Sequence, residues 1–152
     1  MNLMLKRWIF AALALLLLIA VTACKAQDAE PAPATGELAA YTDEAMSALL
    51  RGERKAAALQ YSRLGETVDA RETRDAETIE AVLAALRALR IGESVEERAT
   101  DSDDLFLFTL DDGTTCSVAF EAHRLNTGDA RYIVENGGAL WKLAASILEP
   151  EA

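Results

Sequence analysis

Cys116 and His123 are the one pair of side chains in this sequence that could act as a thiol nucleophile and its base. The pattern around them argues against that chemistry. Cys116 alternates with Val118 and Phe120, so it belongs to an apolar strand face, where a cysteine behaves as a small hydrophobe. His123 falls beyond the strand end, in a turn. A second candidate is acidic. Asp101, Asp103 and Asp104 precede an apolar run, and Asp111 and Asp112 follow it. The two ends of such a strand lie about 17–20 Å apart, so these acids cannot share one ion. Asp101 to Asp104 alone could hold Ca²⁺ weakly, yet the stretch lacks the glycine and distal glutamate of an EF-hand loop. These acids read as solvated turn residues. Gly137-Gly138 lacks the flanking pattern of a nucleotide loop and reads as a turn. No serine elbow or metal-type Cys/His spacing occurs, so the expectation is no catalytic residue, no metal and no cofactor.

The elements that position these residues follow a distinct leader. Lys6 and Arg7 precede an apolar block from Trp8 to Val21, and Thr22-Ala23-Cys24 follows. A basic start, an apolar core and small residues before a cut site make a secretory signal. Trp8 to Ala23 is short against the roughly 20 residues that a spanning helix needs. The sequence Val21-Thr22-Ala23-Cys24 resembles the lipobox of bacterial lipoproteins. That resemblance implies cleavage between Ala23 and Cys24 and acylation of the Cys24 thiol with palmitate-type chains. It also implies a location on the extracytoplasmic face of a cell membrane. Each buried methylene contributes about 0.8 kcal/mol, so the two or three chains of a lipoprotein hold firmly where one would not. Residues 1–23 are thus expected to be signal peptide. Residues 24–37 are expected to be the lipidated cysteine and a disordered tether, with Pro31, Pro33 and Gly36 and no apolar period.

Residues 38–152 remain for a single domain. Without Lys6 and Arg7 the 15 basic side chains fall to 13 against 25 acidic ones, a net charge of −12. Such a surface repels phosphate, so nucleic acid is an unsuitable partner. It repels anionic headgroups too, leaving the Cys24 anchor as the membrane contact. With Cys24 acylated, Cys116 has no disulfide partner.

Apolar residues at helical spacing mark Leu38 to Arg51, with Gly52 as the stop. Strands are expected from about Ala57 to Arg63 and from Thr67 to Glu72, with Thr67, Asp69 and Arg71 outward. Asp75 to Arg90 carries an N-cap aspartate, arginines near its end and the stripe Ile79, Val82, Leu83, Leu86 and Leu89, with Gly92 as the break. Ile91 to Arg98 leads into the sheet, and Thr100 to Asp104 reads as a polar turn. Leu105–Leu110 and Thr114–Glu121 flank Asp111-Asp112-Gly113, a hairpin signal. Arg131 to Glu135 is a further strand, and Ala139 to Leu148 a closing helix bearing Trp141, which is expected to pack in the core.

This order predicts an α+β domain: an antiparallel sheet of about four to six strands with helices packed on one face. Asp75-Ala-Glu-Thr-Ile, Thr100-Asp-Ser-Asp-Asp, Leu110-Asp-Asp-Gly-Thr, Tyr132-Ile-Val-Glu-Asn and Leu140-Trp141 resemble the globular part of small exported lipoproteins of unknown function. The expected role is a non-catalytic binding or interaction module, with an envelope protein as possible partner. The alternatives are an envelope enzyme using carboxylate acid/base chemistry, marked by a pocket with shifted carboxyls, and a passive structural protein. A binding module should instead show an exposed apolar or aromatic patch on the sheet face that the helices leave open.

Overall fold

The computed structural model describes residues 36–96 and 103–149. In chain order these form β1 (Gly36–Glu37), a 3-10 turn (Leu38–Tyr41), α1 (Glu44–Leu50), β2 (Ala56–Leu64), β3 (Val68–Thr73), α2 (Ala76–Ala88), β4 (Arg90–Val95), β5 (Asp103–Leu110), β6 (Thr115–Glu121), β7 (Arg124–Asn126), β8 (Arg131–Glu135) and α3 (Gly138–Leu148). All strands join one antiparallel sheet in the order β1-β4-β8-β7-β6-β5-β2-β3. The fold is therefore α+β, but with eight strands where four to six were expected. The additional members include β1 and β7, of two and three residues. Segments that short carry no alternation to read; neighbouring strands recruit them.

Apolar side chains at every second position build the core. Leu59 and Tyr61 of β2, Phe106, Phe108 and Leu110 of β5, Val118 and Phe120 of β6, and Leu125 of β7 are buried on one face. Against them pack Met46, Leu49 and Leu50 of α1, Ile79, Val82, Leu83 and Leu86 of α2, and Leu140 and Ala144 of α3. Burying each large apolar side chain contributes roughly 1.5–3 kcal/mol, enough to hold the helices on this face without a disulfide. Helix α2 has a further task. It carries the chain from β3, at one edge, to β4, next to the other edge.

Asp75 caps α2 as expected: its Oδ2 accepts from the Thr78 N–H at 2.8 Å. The helix ends at Ala88, however, and Gly92 lies inside β4 at a bulge instead of at the helix terminus. Leu89 and Ile91 are both fully buried, and placing both toward the core requires extended chain. The expected helix over Leu38–Arg51 is also divided. Asp43 stops the 3-10 turn and starts α1 by accepting from the Met46 N–H at 2.8 Å.

Two more expectations change. Asp103 and Asp104 extend β5 instead of forming a turn, because they pair with Leu64 and Arg63 of β2. In β3, Arg71 lies opposite Tyr61 and Asp69 opposite Arg63, which places both on the helix-bearing side and not outward. They stay exposed because β3 is the sheet edge. Ala23, Cys24, the signal peptide, residues 24–35 of the expected tether and Asp101 lie outside the described residues. The last two residues expected in the tether, Gly36 and Glu37, instead form β1 by pairing with Ile91 and Arg90.

Candidate functional site

The inner face of the sheet ends in a polar cluster centred on Asp104. Its carboxylate is 1% exposed. Register places it between Arg63 of β2 and Phe120 of β6. The Tyr61 hydroxyl donates to Asp104 Oδ1, and Arg63 Nε donates to the same oxygen at 3.3 Å. Arg63 Nη2 donates to the Tyr61 oxygen at 2.9 Å, closing a three-residue network. Burial, and then the hydrogen bond to Asp104, push the Tyr61 hydroxyl well above the usual phenol range, so it remains a donor.

His123 stands at the rim of this cluster, its Nε2 3.9 Å from Asp104 Oδ2. Its ring stacks on Trp141 at 4.2 Å and 13°. Trp141 meets Phe120 edge-on at 5.2 Å, so it is half-buried and core-facing, with its other side capped by the histidine. Two backbone features hold this stack. The β6–β7 hairpin turns on Ala122 and His123 alone, at φ 45° and 64°. Two-residue turns of that hand favour asparagine and glycine, and a residue with a Cβ costs roughly 1–2 kcal/mol there. Gly137 supplies the other feature: a Cβ at that position would sit 2.6 Å from Trp141 Nε1. Gly137 is needed for close approach of the indole, a role beyond the turn expected from its sequence.

Cys116 and His123 do not meet. Cys116 pairs with Phe108 near the opposite end of β6, more than about 15 Å from the turn by strand rise. Burial, with the charge of Asp43, pushes its thiol up to about 11, so it is neutral at ordinary pH. Asp103 and Asp104 point to opposite faces of β5, and Asp111 and Asp112 at the far end both pair with Arg54. Among the described residues no group of three or more His, Cys, Asp or Glu side chains could hold a metal ion. The Asp104 network joins acid, phenol and guanidinium through Asp104 Oδ1, while Oδ2 faces the His123 ring at 3.9 Å. It ties β2 to β5 across the sheet.

The other face of the sheet has no described helix on it. There β2, β5 and β6 lay out three aligned rows: Ala58–Thr109–Thr115, Gln60–Leu107–Ser117 and Ser62–Leu105–Ala119. None of these side chains is charged, although 26% of the whole chain is. Charge returns at the margins. Glu72 of β3 lies beside Gln60, Asp103 and Glu121 lie beyond the third row, and Glu121 is paired with Arg131. The alternation Ala58-Gln60-Ser62 carried this signal in the sequence, but Leu105–Leu110 read as one apolar run hid the two faces of β5. No family model, curated protein or solved structure matches this chain.

Proposed function

We propose that this chain is a lipid-anchored extracytoplasmic lipoprotein whose domain is a non-catalytic binding or interaction module, with an envelope protein as its partner. The observation that carries the reading is the uncharged block on the open sheet face. Interfaces are set apart from other surface by depletion of charge at their centre within a polar rim. A block of alanine, serine, threonine, glutamine and leucine, with Glu72 at one side and Asp103 and Glu121 at one end, shares that depletion of charge, although it holds small polar residues where an apolar or aromatic patch was expected. The anchor is the Cys24 thiol, with cleavage after Ala23. No helix among the described residues is long and apolar enough to cross a membrane.

A photoreactive side chain at Leu107 tests the face, with Ala84 on the exposed side of α2 as control. The expected result is one protein captured from Leu107 in cells, not from Ala84, and lost on Ser117→Glu. Equal capture from both positions, or none from Leu107, refutes the reading. Cys24→Ala is expected to release the chain from membranes or leave the uncleaved precursor. Unchanged, acylated mature protein would refute the anchor.

A further inference from the structure

Among the described residues strand β3 is a free edge. It pairs with β2 on one side only, and Val68 to Glu72 are exposed, Val68 at 70%. An edge strand of this kind offers its unpaired N–H and C=O groups to another chain unless its side chains prevent it. Its charges are Asp69 and Arg71 on the helix-bearing side and Glu72 on the open side. Glu72 is engaged by Arg74 at 2.9 Å. Asp69 and Arg71 have no ion-pair or hydrogen-bond partner among the described residues.

Two copies of β3 related by a two-fold axis must pair antiparallel, with faces preserved, so the residue numbers of facing positions sum to an even value. Only a few registers exist. With Ala70 on the axis, Asp69 faces Arg71 of the second copy and Arg71 faces its Asp69, while Val68 faces Glu72. Moving the register by two residues sets Asp69 against Asp69 or Arg71 against Arg71. Opposite charges directly across a ladder stabilise it and like charges destabilise it. The side chains of β3 therefore favour this self-pairing over the registers two residues to either side. Beside them a recess of about 370 Å³, lined by Val68, Asp69, Ala70, Arg71 and Leu148, leaves room for the facing side chains.

We propose that β3 is a homodimerisation edge, joining two copies through β3–β3 pairing centred on Ala70, with reciprocal Asp69–Arg71 ion pairs. The two sheets then continue as one, and Val68 packs against Ala70 and the stem of Glu72 across the seam. A ladder this short makes a modest interface, so the dimer forms at high local concentration. This pairing is independent of the open-face reading.

The test is oxidative cross-linking of the full chain in membranes and in detergent. Ala70→Cys is expected to give a covalent dimer absent from the unsubstituted chain, since facing Cα atoms in a ladder lie within disulfide reach. Glu72→Cys is expected to give none, because in this register the two copies of residue 72 are about 14 Å apart. In the Ala70→Cys background, Asp69→Arg or Arg71→Asp alone is expected to lower the yield about tenfold, and the double exchange to restore it. Circular dichroism checks that each variant keeps its sheet. A poor yield from Ala70→Cys, an equal yield from Glu72→Cys, or a folded double exchange that fails to recover overturns the proposal.

Discussion

Replacing Tyr61 by Phe removes one oxygen from the interior and leaves the ring in place. The ring's contact with Phe106, at 4.8 Å between centroids, survives the change. The Asp104 carboxylate loses its phenolic donor and keeps Arg63 Nε at 3.3 Å, while Arg63 Nη2 loses its acceptor. A hydrogen bond to a charged group contributes roughly 1.5–3 kcal/mol, and Asp104 is too buried for water to substitute freely. Tyr61→Phe is therefore expected to lower the unfolding free energy by about 1.5–3 kcal/mol at neutral pH. For a domain of this size that lowers the melting temperature by roughly 6–12 °C. Urea titration of the full chain, followed by circular dichroism, measures it. The pH dependence gives a second reading. Burial and the bond to Asp104 raise the Tyr61 hydroxyl above its ordinary value of 10.0. Above about pH 10 the unfolded chain releases this proton and the folded chain holds it. The contribution is thus fully present below pH 10 and is lost as pH rises toward the folded value, by up to about 1.4 kcal/mol per unit. Tyr61→Phe should remove that component of the alkaline slope. A loss below about 0.5 kcal/mol at neutral pH, or an unchanged alkaline slope, refutes the view that this network ties β2 to β5.

Gly137→Ala would set its Cβ 2.6 Å from Trp141 Nε1 and force the indole away, so in a Trp8→Phe background the tryptophan emission should shift to the red as the His123 stack opens; unchanged emission contradicts the need for glycine there. Cys116 should react with thiol reagents at neutral pH only after denaturant is added, because burial raises its thiol to about 11; rapid labelling of the folded chain would reopen thiol chemistry. Hydrogen bonds from the Thr78 hydroxyl and N–H hold the Asp75 carboxyl below its ordinary value. Its stabilisation is present above the unfolded value and is lost as pH falls through the folded one. Asp75→Ala should therefore lower stability at neutral pH and flatten the acid limb, whereas Asp75→Asn keeps most of the cap; identical acid limbs for Asp75→Ala and the parent would exclude this role.

The local rules succeeded where an element carries its own signal. Asp75 and the stripe from Ile79 to Leu86 predicted α2 to within its ends, and Asp111-Asp112-Gly113 predicted the β5–β6 hairpin, with Gly113 at φ 83°. Cys116, Val118 and Phe120 share the buried face that their spacing predicted. Where a residue's place depends on distant chain, those rules had no purchase. His123 lies in a turn past β6 as its sequence predicted, but nothing in Ala122-His123 marks a tight hairpin, which forms because Leu125 is buried and β7 pairs with β6. Asp104 looks like a turn acid until Tyr61 and Arg63, more than forty residues earlier, supply its donors.

By itself the sequence determined the helix stripes, the Asp75 cap, the main hairpin and an acidic composition, because periodicity and capping act within one or two turns of chain. Tertiary structure decided the strand order, the burial of Asp104, the stacking of His123 on Trp141, the uncharged outer block and the free edge at β3. Each of these depends on which strands become neighbours. That choice is made by burying the apolar face of the whole sheet under three helices, and no single segment encodes it.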